Sequence, residues 1–64
     1  MVKINGVSTN AEGVTIARYL STTDYNLSRI AVERNGEIVP KSMYDQVVLV
    51  EGDNVEIVSF VGGG

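Results

Sequence analysis

The alternation of apolar and polar positions opens with "MVKI", where Val2 and Ile4 flank Lys3 at a period of two, the signature of a half-buried strand. "Asn5-Gly6" follows and then "VST". Asn-Gly supplies the two positive φ values that a type I′ turn requires, so the first two strands are expected to pair as a tight hairpin. The period then changes. In "GVTIARYLSTTDY", Ile16, Tyr19, Leu20 and, at the margin, Thr23 recur at helical spacing, and Thr15 is placed to cap the first turn with its hydroxyl. This predicts one helix of about two turns, with Gly13 in the loop before it. "LSRIAVER" reads as a third strand with Ile30 and Val32 on one face, and a second "Asn35-Gly36" joins it to "EIV". Pro40 ends that strand because it has no ladder donor. "KSMYDQ" reads as a turn or 3₁₀ segment in which Met43 or Tyr44 plugs the core. "VVLV" reads as a short buried strand, "EGDN" as a turn, and "VEIVSF" as the last strand.

The order is thus strand, strand, helix, strand, short strand, strand. One helix fills one face of a single sheet and leaves the other face to water. The pattern predicts an α+β domain of the β-grasp type: a mixed four- to five-stranded sheet with one main helix, its first and last strands parallel and central. The domain is expected to span residues 1–60, with 61–64 a flexible C-terminal glycine tail.

Composition removes several kinds of chemistry. The 64 residues contain no cysteine and no histidine, so there is no disulfide, thiolate ligand, imidazole ligand or imidazole base. A domain of this size buries only about 60% of its unfolded surface, and its core must be apolar packing alone. The net charge of −3 argues against nucleic acid as a partner. The apolar runs are too short to span a membrane, and no export signal is evident, so a cytoplasmic location is expected. The acidic residues are scattered. Glu51, Asp53 and Glu56 are the nearest to a cluster, but a calcium loop supplies more oxygen ligands, and they read as a solvated turn rather than a metal site. No catalytic constellation and no cofactor site is evident.

The last strand carries more information. Period two sets Val55, Ile57 and Ser59 against Glu56, Val58 and Phe60. Burying an unpaired glutamate costs far more than burying a serine, so Glu56 is expected to face water and Val55 and Ile57 the helix. Val58 and Phe60 are then driven outward, flanked by Ala31 and Lys3. Two large apolar groups on a water-facing sheet suggest a partner site, and with Val61 they form a candidate docking patch. The competing expectation is that a loop or Tyr44 covers them.

The strand runs directly into glycines, in "SFVGGG". Residues without Cβ make the thinnest possible chain, and Val61 to Gly64 extend to about 13 Å. Such an arm fits a narrow channel in an enzyme and presents the carboxylate of Gly64. A carboxylate is a poor electrophile, so reaction there needs prior activation, for instance as an acyl-adenylate.

"VERNGEIVP", "KSMYDQ" and "EGDNVEIVSFVGGG" together resemble the ThiS family of ubiquitin-like sulfur carriers of thiamine biosynthesis. The likeness covers essentially the whole chain, and it is sharpest in the last dozen residues and in "VERNGEIVP". Many relatives end in two glycines where this chain has three; Gly64 reads as the native terminus. The resemblance implies a non-catalytic carrier, monomeric when free. A ubiquitin-activating-like adenylyltransferase would use ATP to adenylate Gly64, and a persulfide donor enzyme would replace AMP to leave a thiocarboxylate. Thiazole synthase would then take the sulfur. Gly62 and Gly63 would give reach and clearance. Two alternatives stand beside it: a carrier for another pathway, such as the small subunit of molybdopterin synthase, and a non-covalent ubiquitin-like interaction module.

Overall fold

The computed structural model describes residues 1–60. The chain forms β1 (Val2–Ile4), β2 (Val7–Thr9), α1 (Ile16–Leu20), β3 (Ile30–Arg34), β4 (Glu37–Val39) and β5 (Asn54–Ser59), with 3₁₀ turns at Leu27–Arg29 and Lys41–Met43. Among the described residues the strands make one five-stranded sheet in the order β2-β1-β5-β3-β4. β1 and β5 pair in parallel, and the other neighbours pair antiparallel. This is the predicted β-grasp, with the first and last strands side by side in the interior of the sheet.

Both Asn-Gly pairs take the left-handed conformation at both positions: Asn5 and Gly6 at φ 50° and 83°, Asn35 and Gly36 at 53° and 86°. These are the values a type I′ turn demands, and they set the register of the two hairpins. One face of the sheet packs on α1. Val2 and Ile4, Ile30 and Val32, Val39, Val55 and Ile57 point inward, and Ile16 and Leu20 meet them from the helix. Leu49 and Tyr44 close the sides of the core. Tyr44, rather than the more exposed Met43, is the plug that the sequence left open.

α1 is capped as expected, the amide of Arg18 donating to Thr15 Oγ1 at 3.0 Å. It is shorter than two turns. The hydroxyls of Ser21, Thr22 and Thr23 donate back to the carbonyls of Arg18, Tyr19 and Leu20, which satisfies the helix end without prolonging it.

Two expected strand segments are not strands. Leu27–Arg29 is a 3₁₀ turn and not the start of β3, because Asn26 Oδ1 accepts from the Ser28 amide at 3.0 Å and holds the chain in a cap geometry. "VVLV" is not a strand of the sheet. Its backbone is spent on the loop before α1: Gly13 donates to Leu49, Leu49 to Val14 and Ile16 to Val47, at 2.7, 2.8 and 3.0 Å. Among the described residues a single bridge, Thr15 to Val48, is the pairing that results. Leu49 is buried while Val48 and Val50 are exposed.

Candidate functional site

β5 lies between β1 and β3, and its side chains alternate between solvent and core from Asn54 to Val58, while Ser59 at the strand end is exposed. Val55 and Ile57 are buried; Glu56 and Val58 face water. Val58 is 53% exposed and lies opposite Ala31 of β3. The register continues past the strand, where the Phe60 amide donates to the Arg29 carbonyl at 2.6 Å. Phe60 is 56% exposed. No loop covers the pair among the described residues, and Tyr44 is buried in the core, so both apolar side chains stand open as the alternation requires. Lys3, however, is not their neighbour. It pairs with Asn54 at the far end of β5, because β1 turns away at Asn5-Gly6 before reaching the level of Val58.

Where β1 turns away, Asn5 takes its place. Its amide donates to the Val55 carbonyl at 2.9 Å. Its side chain then accepts from the Ile57 amide at 2.7 Å and donates to the Ile57 carbonyl at 3.2 Å. The carboxamide thus stands in for the next peptide unit of the missing strand and keeps the exit of β5 hydrogen-bonded. The same Nδ2 reaches the Tyr25 hydroxyl at 3.3 Å.

The start of β5 is built differently. Asp53 is buried, and each carboxylate oxygen is occupied. Oδ2 accepts from Arg34 Nε and from the Val50 amide, both at 2.9 Å, and Oδ1 accepts from Asn35 Nδ2 at 3.0 Å. Asn35 also accepts from the Asn54 amide at 2.9 Å, so the second Asn-Gly turn clasps the other end of the same strand. Burial pushes the Asp53 carboxyl up, but the Val50 amide, Asn35 and the Arg34 guanidinium outweigh it and hold the group below the usual carboxylate range. The expectation of a solvated turn is therefore wrong for Asp53. Its contact with Arg34 was hidden in the sequence because 19 positions separate the partners. Three of its acceptor sites are used internally, by Arg34, the Val50 amide and Asn35. Among the described residues no group of His, Cys, Asp or Glu is arranged to hold a metal ion.

Val61, Gly62, Gly63 and Gly64 lie outside the described residues. The structure therefore carries the site as far as Phe60, at the exit of a central strand and beside an open sheet face. No helix among the described residues is long and apolar enough to cross a membrane.

A mixed five-stranded sheet grasping one short helix, with the central strand emerging beside exposed apolar side chains, defines a ubiquitin-like β-grasp domain. The chain belongs to the ThiS family, whose model matches residues 2–64. It is similar over its whole length to the sulfur carrier protein ThiS of Bacillus subtilis, at 39% identity over 66 aligned positions covering all of both proteins. The crystal structure of the thiamine biosynthesis protein ThiS from Geobacter metallireducens superposes with a TM-score of 0.79 at 30% identity, over 98% of this chain and 97% of that one. A thiazole synthase from Paramagnetospirillum magneticum is 47% identical over 62 residues, 95% of this chain but 19% of that protein. The chain thus spans about a fifth of the length of the thiazole synthases it matches.

Proposed function

We propose that this protein is a sulfur carrier of thiamine biosynthesis and that the Gly64 carboxylate is where the sulfur is attached. The observation that carries this reading is the end-to-end correspondence with a sulfur carrier protein, in both sequence and fold. A ubiquitin-activating-like adenylyltransferase joins the Gly64 carboxylate to AMP, releasing pyrophosphate from ATP. The terminal sulfur of a persulfide then attacks the acyl carbon and AMP leaves. Reduction of the remaining S–S bond by a thiol frees the thiocarboxylate. The carrier catalyses none of these steps. It contributes a thin glycine end and a rigid body that partner enzymes grip.

Thiazole synthase is the acceptor this reading favours over a molybdopterin-type partner, because relatives at 47% and 41% identity are thiazole synthases. Val58, Phe60 and Val61 are the docking residues. Ordering a four-residue arm inside an enzyme costs about 1–2 kcal/mol per residue, and an apolar patch at the root of the arm supplies binding energy to offset it. A cytoplasmic location fits a carrier that depends on ATP and on a persulfide.

The test is the removal of Gly63 and Gly64. The truncated chain should keep the unfolding midpoint of the full chain and lose ATP–pyrophosphate exchange with its adenylating enzyme. Full exchange by the truncated chain refutes Gly64 as the activated residue. Intact mass supplies the positive result: an oxygen-to-sulfur increment that maps to Gly64 in protein from cells making thiamine.

A further inference from the structure

The open face of the sheet carries a feature that its own stability does not explain. The β3–β5 register sets Glu33 directly opposite Glu56, both on the water-facing side. Like charges directly opposite in a sheet repel and weaken the pairing. Among the described residues neither carboxylate forms an ion pair. Among the described residues the ion pairs join the Met1 ammonium to Glu51 and Arg34 to Asp53. Arg34 points to the other face. Lys3 shares the face but stands opposite Asn54 and bridges to neither glutamate. The pair is framed by apolar groups: Val58 and Ala31 occupy the next cross-strand row, and Ile38, 61% exposed, lies beside Glu33 on β4.

A local conflict kept in an otherwise consistent sheet points to use by a partner. We propose that this face docks a protein surface presenting an arginine, which enters between Glu33 and Glu56 while apolar side chains around it cover Val58, Phe60 and Ile38. This rests on the sulfur-carrier reading and names the chemistry by which the carrier's enzymes recognise it. The chemistry selects arginine. Two carboxylates on facing strands, with Cα atoms about 5.5 Å apart in a hydrogen-bonded pair, offer acceptors on two sides of one planar group. The five N–H donors of a guanidinium span that arrangement, whereas an ammonium is a point charge. The same pair disfavours a second copy of this chain as the occupant, since face-to-face stacking would bring four carboxylates together. Nucleic acid is disfavoured for the same reason.

The test titrates the full chain against its adenylating enzyme and its thiazole synthase at low and high salt. The Glu33→Gln, Glu56→Gln double variant should unfold at the wild-type midpoint or above it, because the repulsion is relieved. It should bind at least one of the two enzymes about tenfold or more weakly at low salt, with a flatter salt dependence. Phenylglyoxal, which modifies arginine, should spare one enzyme arginine in the wild-type complex and reach it in the double-variant complex. Wild-type affinity and salt slope in the double variant overturn the proposal, and so does a lowered midpoint or equal arginine modification in the two complexes. Phe60→Ser separates the two levels. Lost binding by Phe60→Ser with an unaffected double variant overturns the arginine site and leaves the docking face intact. Failure of wild type to bind either enzyme or to form a thiocarboxylate overturns the carrier reading as well.

Discussion

The two ends of β5 are clasped by the same dipeptide and spend their side chains in opposite ways. At the start, Asn35 of one Asn-Gly turn binds the Asn54 amide; at the exit, Asn5 of the other binds both backbone groups of Ile57. Each Asn completes hydrogen bonds that the neighbouring strand abandons when it turns. Beyond that the ends diverge. The start closes on itself, since Asp53 consumes Arg34, Asn35 and the Val50 amide. The exit sends Val58 and Phe60 outward and leaves them uncovered among the described residues. On the proposed carrier reading, a strand that delivers a reactive arm to an enzyme needs one end fixed in the body and the other open to be gripped. The clasp supplies order at both ends, and side-chain chemistry decides which end is available.

The sharpest way to break this contrast is to remove the anchor. Asp53→Ala deletes three hydrogen bonds to a carboxylate and strands a half-buried guanidinium. It should cost about 3 kcal/mol, read as a fall in the denaturant midpoint at unchanged slope. The pH dependence carries the same signature. The folded carboxyl is held below its usual range, so its contribution is fully present above the unfolded value of about 3.9 and is lost as pH falls through the folded value. Wild type should therefore lose stability below about pH 4, and Asp53→Asn should show a shallower loss across that window. Parallel acid curves for the two proteins would contradict the anchor.

The exit was legible in the sequence and the anchor was not, for a physical reason. The facing of Val55, Glu56, Ile57 and Val58 follows from a period of two and the cost of burying one glutamate, both local facts. The two Asn-Gly turns were equally legible, because few dipeptides tolerate two positive φ values. What the asparagine side chains do next depends on which strand lies alongside, and that is decided by tertiary pairing. Asp53 looked solvated for the same reason, its cation being on β3. Leu27–Arg29 and "VVLV" have apolar content that suggests strand, but a side-chain cap in one case and the loop before α1 in the other claim the backbone. The glycine end, the most telling feature of the sequence, lies beyond the described residues and rests on the chain's chemistry and family.

The second prediction attacks the exit. Phe60 is more than half exposed, so Phe60→Ser should leave the unfolding free energy within a few tenths of a kcal/mol. If Phe60 is an aromatic anchor for the partner enzymes, the same change should weaken binding by about 2 kcal/mol, roughly thirtyfold in Kd. Isothermal titration against the adenylating enzyme and the thiazole synthase reads both numbers. A collapsed fold would move Phe60 to the structural side of the comparison, and unchanged affinity for both enzymes would end its role in docking. Asp53→Ala should do the reverse, lowering stability with little effect on affinity measured well below its midpoint.

The smallest effects sharpen what the two ends share. Gly6 and Gly36 hold φ +83° and +86°, and a Cβ added to either would meet nothing within 4 Å. The cost of alanine there is therefore purely conformational, with no clash to add to it. About 1 kcal/mol is expected from forcing an L residue into the left-handed region. Gly6→Ala and Gly36→Ala should lower the unfolding free energy from denaturant titration by that amount and by nearly the same amount as each other. A larger loss at Gly36→Ala would mean that distortion of its turn reaches Asp53 through Asn35. A larger loss at Gly6→Ala would instead make Asn5, at the exit, the stronger clasp. Stability unchanged in both would show that the turns do not need their glycines, and the type I′ geometry would no longer explain why the chain uses the same dipeptide twice.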